Sequence, residues 1–126
     1  QYRGIQAPFC DMVEAYAEGR PAIVPANDEQ WDLIYVKDVA RALALMLQTK
    51  TLPSVITVTG YVASIDGFRE FVLTRNQSTP INVDGVGKKL GLPLVDTTKA
   101  SSIGFHPAFD LSASLDDYTT TFHSRI

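Results

Sequence analysis

Residues 32–47 constrain the fold of this chain most, because two consecutive stretches in it are almost entirely apolar. Residues 32–36 read Asp-Leu-Ile-Tyr-Val, and this β-rich run without polar alternation predicts a buried strand. Residues 39–47 predict a helix whose narrow polar side is marked only by Arg41 and Gln48. A helix this apolar has to lie between other elements. Its predicted buried stripe comprises Val39, Leu43, Met46 and Leu47.

Helical and extended signals alternate along the rest of the chain. Apolar residues at helical spacing, with a proline at the start and a glycine at the exit, predict a first helix from Pro8 to Gly19. The other predicted elements are an edge strand or extended loop at 21–25, a strand at 55–58 that ends at Gly60, a helix opened by Ser64, an irregular stretch at 76–93, a short helix capped by Asp96 or Thr97 that stops at Gly104, and a last helix after Asp110.

This alternation predicts an α/β protein, a partial α/β unit with about five helices and a few short, mainly parallel strands. The chain has 126 residues, of which 45% are hydrophobic and 20% charged. That length and that composition predict a single domain over residues 1–126.

Composition excludes several classes of function. The formal net charge is −3, and basic residues are not clustered, so nucleic acid is not an expected partner. No apolar run approaches the roughly 20 residues that cross a bilayer, so no membrane partner is expected. The single cysteine, Cys10, favours a reducing compartment and hence a cytoplasmic location. The chain begins with Gln1 rather than Met, which favours a piece of a longer protein.

Metal and phosphate motifs are weak. Neither His106 nor His123 lies in a metal-ligand spacing, so no metal site is predicted. Residues 85–91 read Gly-Val-Gly-Lys-Lys-Leu-Gly and resemble a phosphate-binding turn. A dinucleotide fingerprint needs its third glycine one position earlier and a helix afterwards, whereas Pro93 interrupts any helix here. A flexible turn is the favoured interpretation.

Carboxylates cluster in sequence around the predicted strand at 32–36, where ligand sites of α/β proteins often lie. Asp28, Glu29, Asp32 and Asp38 form this group. No spacing among them identifies a general acid and base. Asp38 is interpreted as a helix cap. Trp31, the only tryptophan, is either a core residue or an apolar wall that stacks on a sugar or another ring.

Several motifs occur in an order that resembles a known family. Residues 35–42 read Tyr-Val-Lys-Asp-Val-Ala-Arg-Ala, residues 57–60 Thr-Val-Thr-Gly, residues 96–100 Asp-Thr-Thr-Lys-Ala and residues 104–107 Gly-Phe-His-Pro. This pattern resembles the C-terminal, substrate-binding portion of the extended short-chain dehydrogenases/reductases (SDRs), the NAD-dependent epimerase/dehydratase family. The resemblance covers nearly the whole chain.

The features that carry catalysis in that family are missing. Its N-terminal Rossmann half holds a Gly-rich NAD(P) loop and a catalytic Tyr-x-x-x-Lys, and none of the five tyrosines here has a lysine four residues later. The resemblance therefore implies NAD(P) for the parent enzyme and no cofactor for this chain alone. No catalytic, cofactor-binding or metal-binding residue is assigned, and the chain by itself is not expected to catalyse the redox chemistry of that family.

The resemblance implies that this part of the chain forms the substrate side of the cleft. Trp31, Asp32 and Tyr35 are the candidate substrate-binding residues. The family commonly has an arginine where Trp31 stands, and the arginine is thought to contact a substrate phosphate. The expected partner is a small, sugar-like substrate, and the replacement of the arginine favours either a less anionic substrate or a divergent member of the family.

Two hypotheses of function follow. In the first, the chain is the substrate-binding portion of a sugar-nucleotide epimerase, dehydratase or reductase, and its partner is the missing Rossmann half. In the second, it is a stand-alone non-catalytic binding or oligomerisation module derived from that family, and a partner or a second copy covers the apolar helix at 39–47.

Overall fold

The computed structural model describes residues 7–51 and 55–124. Its helices and strands are α1 (Ala7–Glu18), β1 (Ala22–Ala26), β2 (Trp31–Leu33), α2 (Val36–Gln48), β3 (Tyr61–Ala63), α3 (Ile65–Arg75), β4 (Ile81–Val86), α4 (Thr98–Ser102) and α5 (Leu111–Ser124). The strands form two two-stranded sheets, β1 with β4 and β2 with β3. The predicted partial α/β unit is confirmed, with five helices and a few short strands among the described residues.

The described residues form two compact units that alternate along the chain. Unit 1 draws on the described parts of Gln1–Gln30, Ala63–Gly91 and Leu115–Ile126. Unit 2 draws on those of Trp31–Val62 and Leu92–Ser114. The single domain over 1–126 stays a prediction.

Unit 1 is built on the parallel pair β1 and β4, whose register runs from Ala22 opposite Ile81 to Ala26 opposite Val86. The ladder is irregular between Val24 and Ala26, where Pro25 has no N–H to donate. Of the two structures predicted for 21–25, an edge strand or an extended loop, the chain forms the strand, which is β1. The sequence analysis missed β4, because its stretch looked irregular and its partner strand lies far away in the chain.

Helices α1 and α3 cover this sheet in unit 1. The predicted first helix is confirmed, and Gly19 ends it with φ +75° while its N–H donates to the carbonyl of Ala15 at 3.0 Å. Ser64 caps α3, because its hydroxyl accepts the N–H of Gly67 at 2.9 Å. The buried core of unit 1 includes Phe9, Met12, Val24, Phe68, Val72 and Leu115.

Unit 2 has a smaller core. Ala42 of α2, Ala100 of α4 and Phe105 are buried together, and half-buried apolar side chains pack against them. These surrounding side chains are Ile34, Leu45, Met46, Ile56, Val58 and Ile103. Gly60 lies close to β2, since its N–H donates to the carbonyl of Leu33 at 2.8 Å and an added Cβ would meet that oxygen at 3.0 Å.

Two predicted strands of unit 2 are wrong, one in its length and the other in its existence. The strand at 32–36 is only the three-residue β2, because Tyr35 already stands at the N-cap of α2 and Val36 is its first helical residue. β2 is also half-buried rather than buried, because it has a single neighbouring strand. The run at 55–58 forms no strand, since no neighbouring strand among the described residues pairs with it, and β3 follows instead.

The predicted buried stripe of α2 is wrong for two of its four residues, because two are half-buried and two are exposed. Asp38 and Ala42 are the buried residues of this helix, whereas Leu43 is 57% exposed and Leu47 is 89% exposed. Val36 is on the same outer side and is 69% exposed. The sequence pattern pointed to the wrong side, because the polar residues of α2 share one side of the helix and Asp38, which lies on that side, is nevertheless buried.

Candidate functional site

The three predicted substrate-binding residues lie at the start of unit 2. Trp31 and Asp32 belong to β2, Tyr35 precedes α2, and all three are half-buried. The ring of Tyr35 packs against that of Phe109, with 4.9 Å between the centroids. That these residues bind substrate stays a prediction.

Asp32 ties together three segments of unit 2. One carboxylate oxygen accepts the hydroxyl of Thr59 at 3.0 Å, and the other accepts the backbone N–H of Val95 at 2.8 Å. Each oxygen thus has a partner from the chain itself. The geometry gives Asp32 a positioning role, because it fixes the segment before β3 and the segment before α4 to β2.

Asp38 is not the cap that the sequence analysis expected. Its side chain is fully buried, at 0% exposure, and accepts the backbone N–H groups of Ala108 and Phe109, both at 3.0 Å. Arg41, one turn later, donates to the same carboxylate at 2.7 Å. Asp38 therefore joins α2 to the loop at 105–109. Its position in the first helical turn suggested a cap, and nothing in the local sequence points to a loop 70 residues away.

Arg41 extends this link along the loop. Its guanidinium donates to the carbonyl of His106 at 3.3 Å and lies 6.0 Å from the centre of the Phe105 ring. A cation over an aromatic face is attracted by the ring quadrupole. In the sequence Arg41 marks only the polar side of a helix, whereas in the structure it helps Asp38 to hold the loop at 105–109.

That cavity lies within unit 2 and has a volume of about 210 Å³. Buried Ala100 and Phe105 form part of its lining, together with Gly60 and Pro107. Its polar lining consists of Thr59, Thr97, Ser101 and His106. The motifs at 57–60, 96–100 and 104–107 contain every lining residue except Ser101, but nothing in their sequences indicates that they meet around a cavity.

The turn at 85–91 is bound to the loop that follows β1. The carboxylate of Glu29 accepts the N–H groups of Leu90 and Gly91 at 2.9 and 2.7 Å. Lys89 pairs with Asp28 at 2.9 Å, and this pairing raises the pKa of Lys89 and lowers that of Asp28. A phosphate bound to this turn would need hydrogen bonds from the same amides that donate to Glu29. The structure therefore does not favour phosphate binding here.

Other candidate sites gain no support. Within 7–51 and 55–124, no group of three His, Cys, Asp or Glu side chains could hold a metal ion. The side chain of His123 lies outside the described part of the chain. Cys10 is a free, exposed thiol on α1. No helix of the described chain is long and apolar enough to cross a membrane.

Comparison with known proteins gives one kind of match. No family model and no curated protein matches the chain. Among solved structures, UDP-glucuronic acid 4-epimerase from Bacillus cereus in complex with NAD is 23% identical with a TM-score of 0.67, over 93% of this chain and 39% of that one. The chain has the fold of the C-terminal part of an extended SDR epimerase.

A second epimerase supports the same fold. The ADP-L-glycero-D-manno-heptose-6-epimerase of Helicobacter pylori is 13% identical with a TM-score of 0.66, over 94% of this chain and 38% of that chain. The resemblance predicted from sequence motifs is thus confirmed at the level of the fold. The chain spans about two fifths of the length of these epimerases.

Proposed function

We propose that the chain is the C-terminal substrate-binding portion of an NAD(P)-dependent epimerase, dehydratase or reductase that acts on a sugar nucleotide or related sugar-like substrate. The fold match carries this proposal, because it covers almost all of this chain and only two fifths of enzymes that are described with NAD and UDP-glucuronic acid. Trp31, Asp32 and Tyr35 belong to the substrate side, with Trp31 as an apolar wall.

The described residues do not fit the cofactor. The only glycine-rich loop that resembles a dinucleotide site presents its Leu90 and Gly91 amides to Glu29, and no helix follows it before α4. A dinucleotide phosphate site needs free amides at the start of a helix. NAD(P) therefore belongs to a separate cofactor-binding half in this proposal, and the chain alone is not catalytic. Its free thiol Cys10 suits a cytoplasmic location.

Two measurements test this function together. Reading the coding sequence upstream of Gln1 should reveal roughly 150 further residues, about one domain, with a Gly-rich loop and a Tyr-x-x-x-Lys. NADH titrated against the purified chain should show no change in its fluorescence. A natural start codon at this position would contradict the enzyme-portion proposal, and micromolar NADH affinity would contradict the assignment of the cofactor to another half.

The outer side of α2 favours a second candidate function, a stand-alone binding or oligomerisation module. Val36, Leu43 and Leu47 are all more than half exposed on this side. Such an apolar surface promotes association. Sedimentation of the purified chain over a range of concentrations should then show a dimer or larger species, whereas a monomer at all concentrations would contradict this candidate.

A further inference from the structure

We infer that the cavity of unit 2 is a binding site for a single neutral, hydroxyl-rich ring of the pyranose class. The site is the place where the segment before β3, the short helix α4 and the loop at 105–107 meet. It goes beyond the proposed function, because it uses no cofactor-binding half and none of Trp31, Asp32 or Tyr35 lines it.

The cavity has an apolar base and a polar rim. Ala100 and Phe105 are only 2% and 4% exposed, so they form the base. Thr97 and Ser101 lie one helical turn apart, so their hydroxyls project from the same side of α4. With the imidazole of His106, these hydroxyls form the rim, and none of the three polar groups has a hydrogen-bond partner among the residues that the structure describes.

The lining is held in place by the chain itself. Fully buried Asp38 holds the N–H groups of Ala108 and Phe109, and Arg41 holds the carbonyl of His106. On the opposite wall, the hydroxyl of Thr59 donates to Asp32. A site that is formed before its ligand arrives loses less conformational freedom on binding, which favours affinity.

Charge and size select the ligand class. None of the residues lining the cavity is an aspartate, glutamate, lysine or arginine, and the nearby charge of Arg41 is paired with Asp38. A phosphate or carboxylate would find no cation to compensate it there. The volume of about 210 Å³ is smaller than the roughly 300–1,000 Å³ of most ligand pockets, so it fits one ring rather than a nucleotide.

Hydroxyl groups on such a ring match the rim. Serine and threonine hydroxyls both donate and accept, and an imidazole does the same through its two nitrogens. The C–H face of a pyranose can pack on the apolar base while its hydroxyls reach the rim. The ring can be a free monosaccharide or the sugar of a sugar nucleotide, because both present the same groups.

Two-dimensional ¹H–¹⁵N NMR of the full chain tests the site with methyl hexopyranosides, UDP-glucose, UMP and inorganic phosphate as separate probes. At least one glycoside should shift the amides of Gly60, Ser101 and His106 in a saturable way, with a dissociation constant in about the millimolar range. If UDP-glucose shifts the same amides and UMP does not, the sugar of a nucleotide is also a source of the ring.

Matched variants on α4 locate the binding. Ser101→Leu should fill the rim and weaken glycoside binding by about tenfold or more, whereas Ser102→Leu, on the next residue and outside the lining, should change it by less than about twofold. Ser101→Ala, which removes only the hydroxyl, should weaken it by about fivefold. Absence of saturable shifts with every sugar, equal losses in the two leucine variants, or tighter binding of phosphate than of any glycoside would overturn the inference.

Discussion

The two units differ in what their helices do with apolar side chains. In unit 1, α1 turns Phe9 and Met12 inward, and its outer side carries acidic residues such as Glu14. In unit 2, α2 buries Ala42 and leaves large apolar side chains such as Leu47 exposed. An amphipathic helix normally packs its apolar side inward. α1 does so, whereas α2 buries the side that carries Asp38 and turns an apolar side outward. The helix of unit 1 therefore hides its large apolar side chains, whereas α2 leaves several of its own exposed.

The two units also contain the same kind of link between distant segments, which is buried in one unit and exposed to solvent in the other. In each of them a carboxylate accepts two consecutive backbone N–H groups from a distant segment: Asp38 in unit 2 and Glu29 in unit 1. Asp38 is fully buried, whereas the bonds of Glu29 are exposed to solvent. The same hydrogen bonds should contribute more to stability where water cannot replace them.

The largest expected effect on the free energy of unfolding distinguishes a residue of α1 from a residue of α2. Met12→Ala should lower the free energy of unfolding by about 3 kcal/mol, because the side chain is fully buried in unit 1 and its loss leaves a cavity. Leu47→Ala, at a side chain that is 89% exposed, should change it by less than about 0.5 kcal/mol. Urea denaturation of the two variants measures the difference. Equal losses would show that Leu47 is covered in solution.

The second effect compares the two carboxylates. Asp38→Ala should cost about 2–3 kcal/mol, because it leaves two backbone N–H groups of a buried contact without acceptors. Glu29→Ala should cost less than about 1 kcal/mol, because water can bind the amides of Leu90 and Gly91. Both values come from the same denaturation experiment. A larger loss for Glu29→Ala would contradict the expectation that the buried link of Asp38 contributes more to stability than the exposed link of Glu29.

The smallest expected effect is a pH dependence of stability, which compares one tyrosine of unit 2 with one of unit 1. Burial raises the pKa of Tyr61 and nearby Asp110 raises it further, although a hydrogen bond with Ser114 opposes them. A raised pKa of an acid stabilises the fold below the unfolded value of about 10, and this contribution is lost as the pH rises through the folded value. The chain should therefore lose stability above about pH 10, and Tyr61→Phe should lose less.

Absorbance at 295 nm checks this titration directly. The wild type should show a phenolate transition above the ordinary tyrosine range that is absent from Tyr61→Phe. Tyr118→Phe is the matched variant from unit 1, where burial and then the charges of Glu18 and Glu14 raise the pKa of Tyr118. If Tyr61→Phe removed a transition at or below about pH 10, the buried setting of Tyr61 would be wrong.

Local signals predicted the elements that depend on neighbouring residues. The apolar spacing and Gly19 gave α1, and Ser64 gave the start of α3, since capping and amphipathic patterns act over one or two turns. Asp110 likewise precedes α5 and accepts the N–H of Ala113 at 2.8 Å. The resemblance to the family predicted the fold as a whole, because its motifs follow one another along the chain in the same order as the elements that contain them.

Features that depend on distant residues escaped prediction. β4 exists because β1 is available to pair with it, and residues 55–58 form no strand because no neighbour pairs with them in the described chain. The inner side of α2 is decided by Asp38, whose partners are 70 residues away. The cavity escaped prediction for the same reason, since the three motifs that line it come together only in the folded chain.

The parallel pairing of β1 and β4 also determines when unit 1 can form. Ala22 and Ile81 are about sixty residues apart, and all of the first stretch of unit 2 lies between them. During synthesis β1 leaves the ribosome long before its partner strand exists, so it has to wait unpaired while that stretch is made. Contacts this distant are closed late and slow folding. The ladder between β1 and β4 should therefore be among the last parts of the chain to become protected from hydrogen exchange during folding.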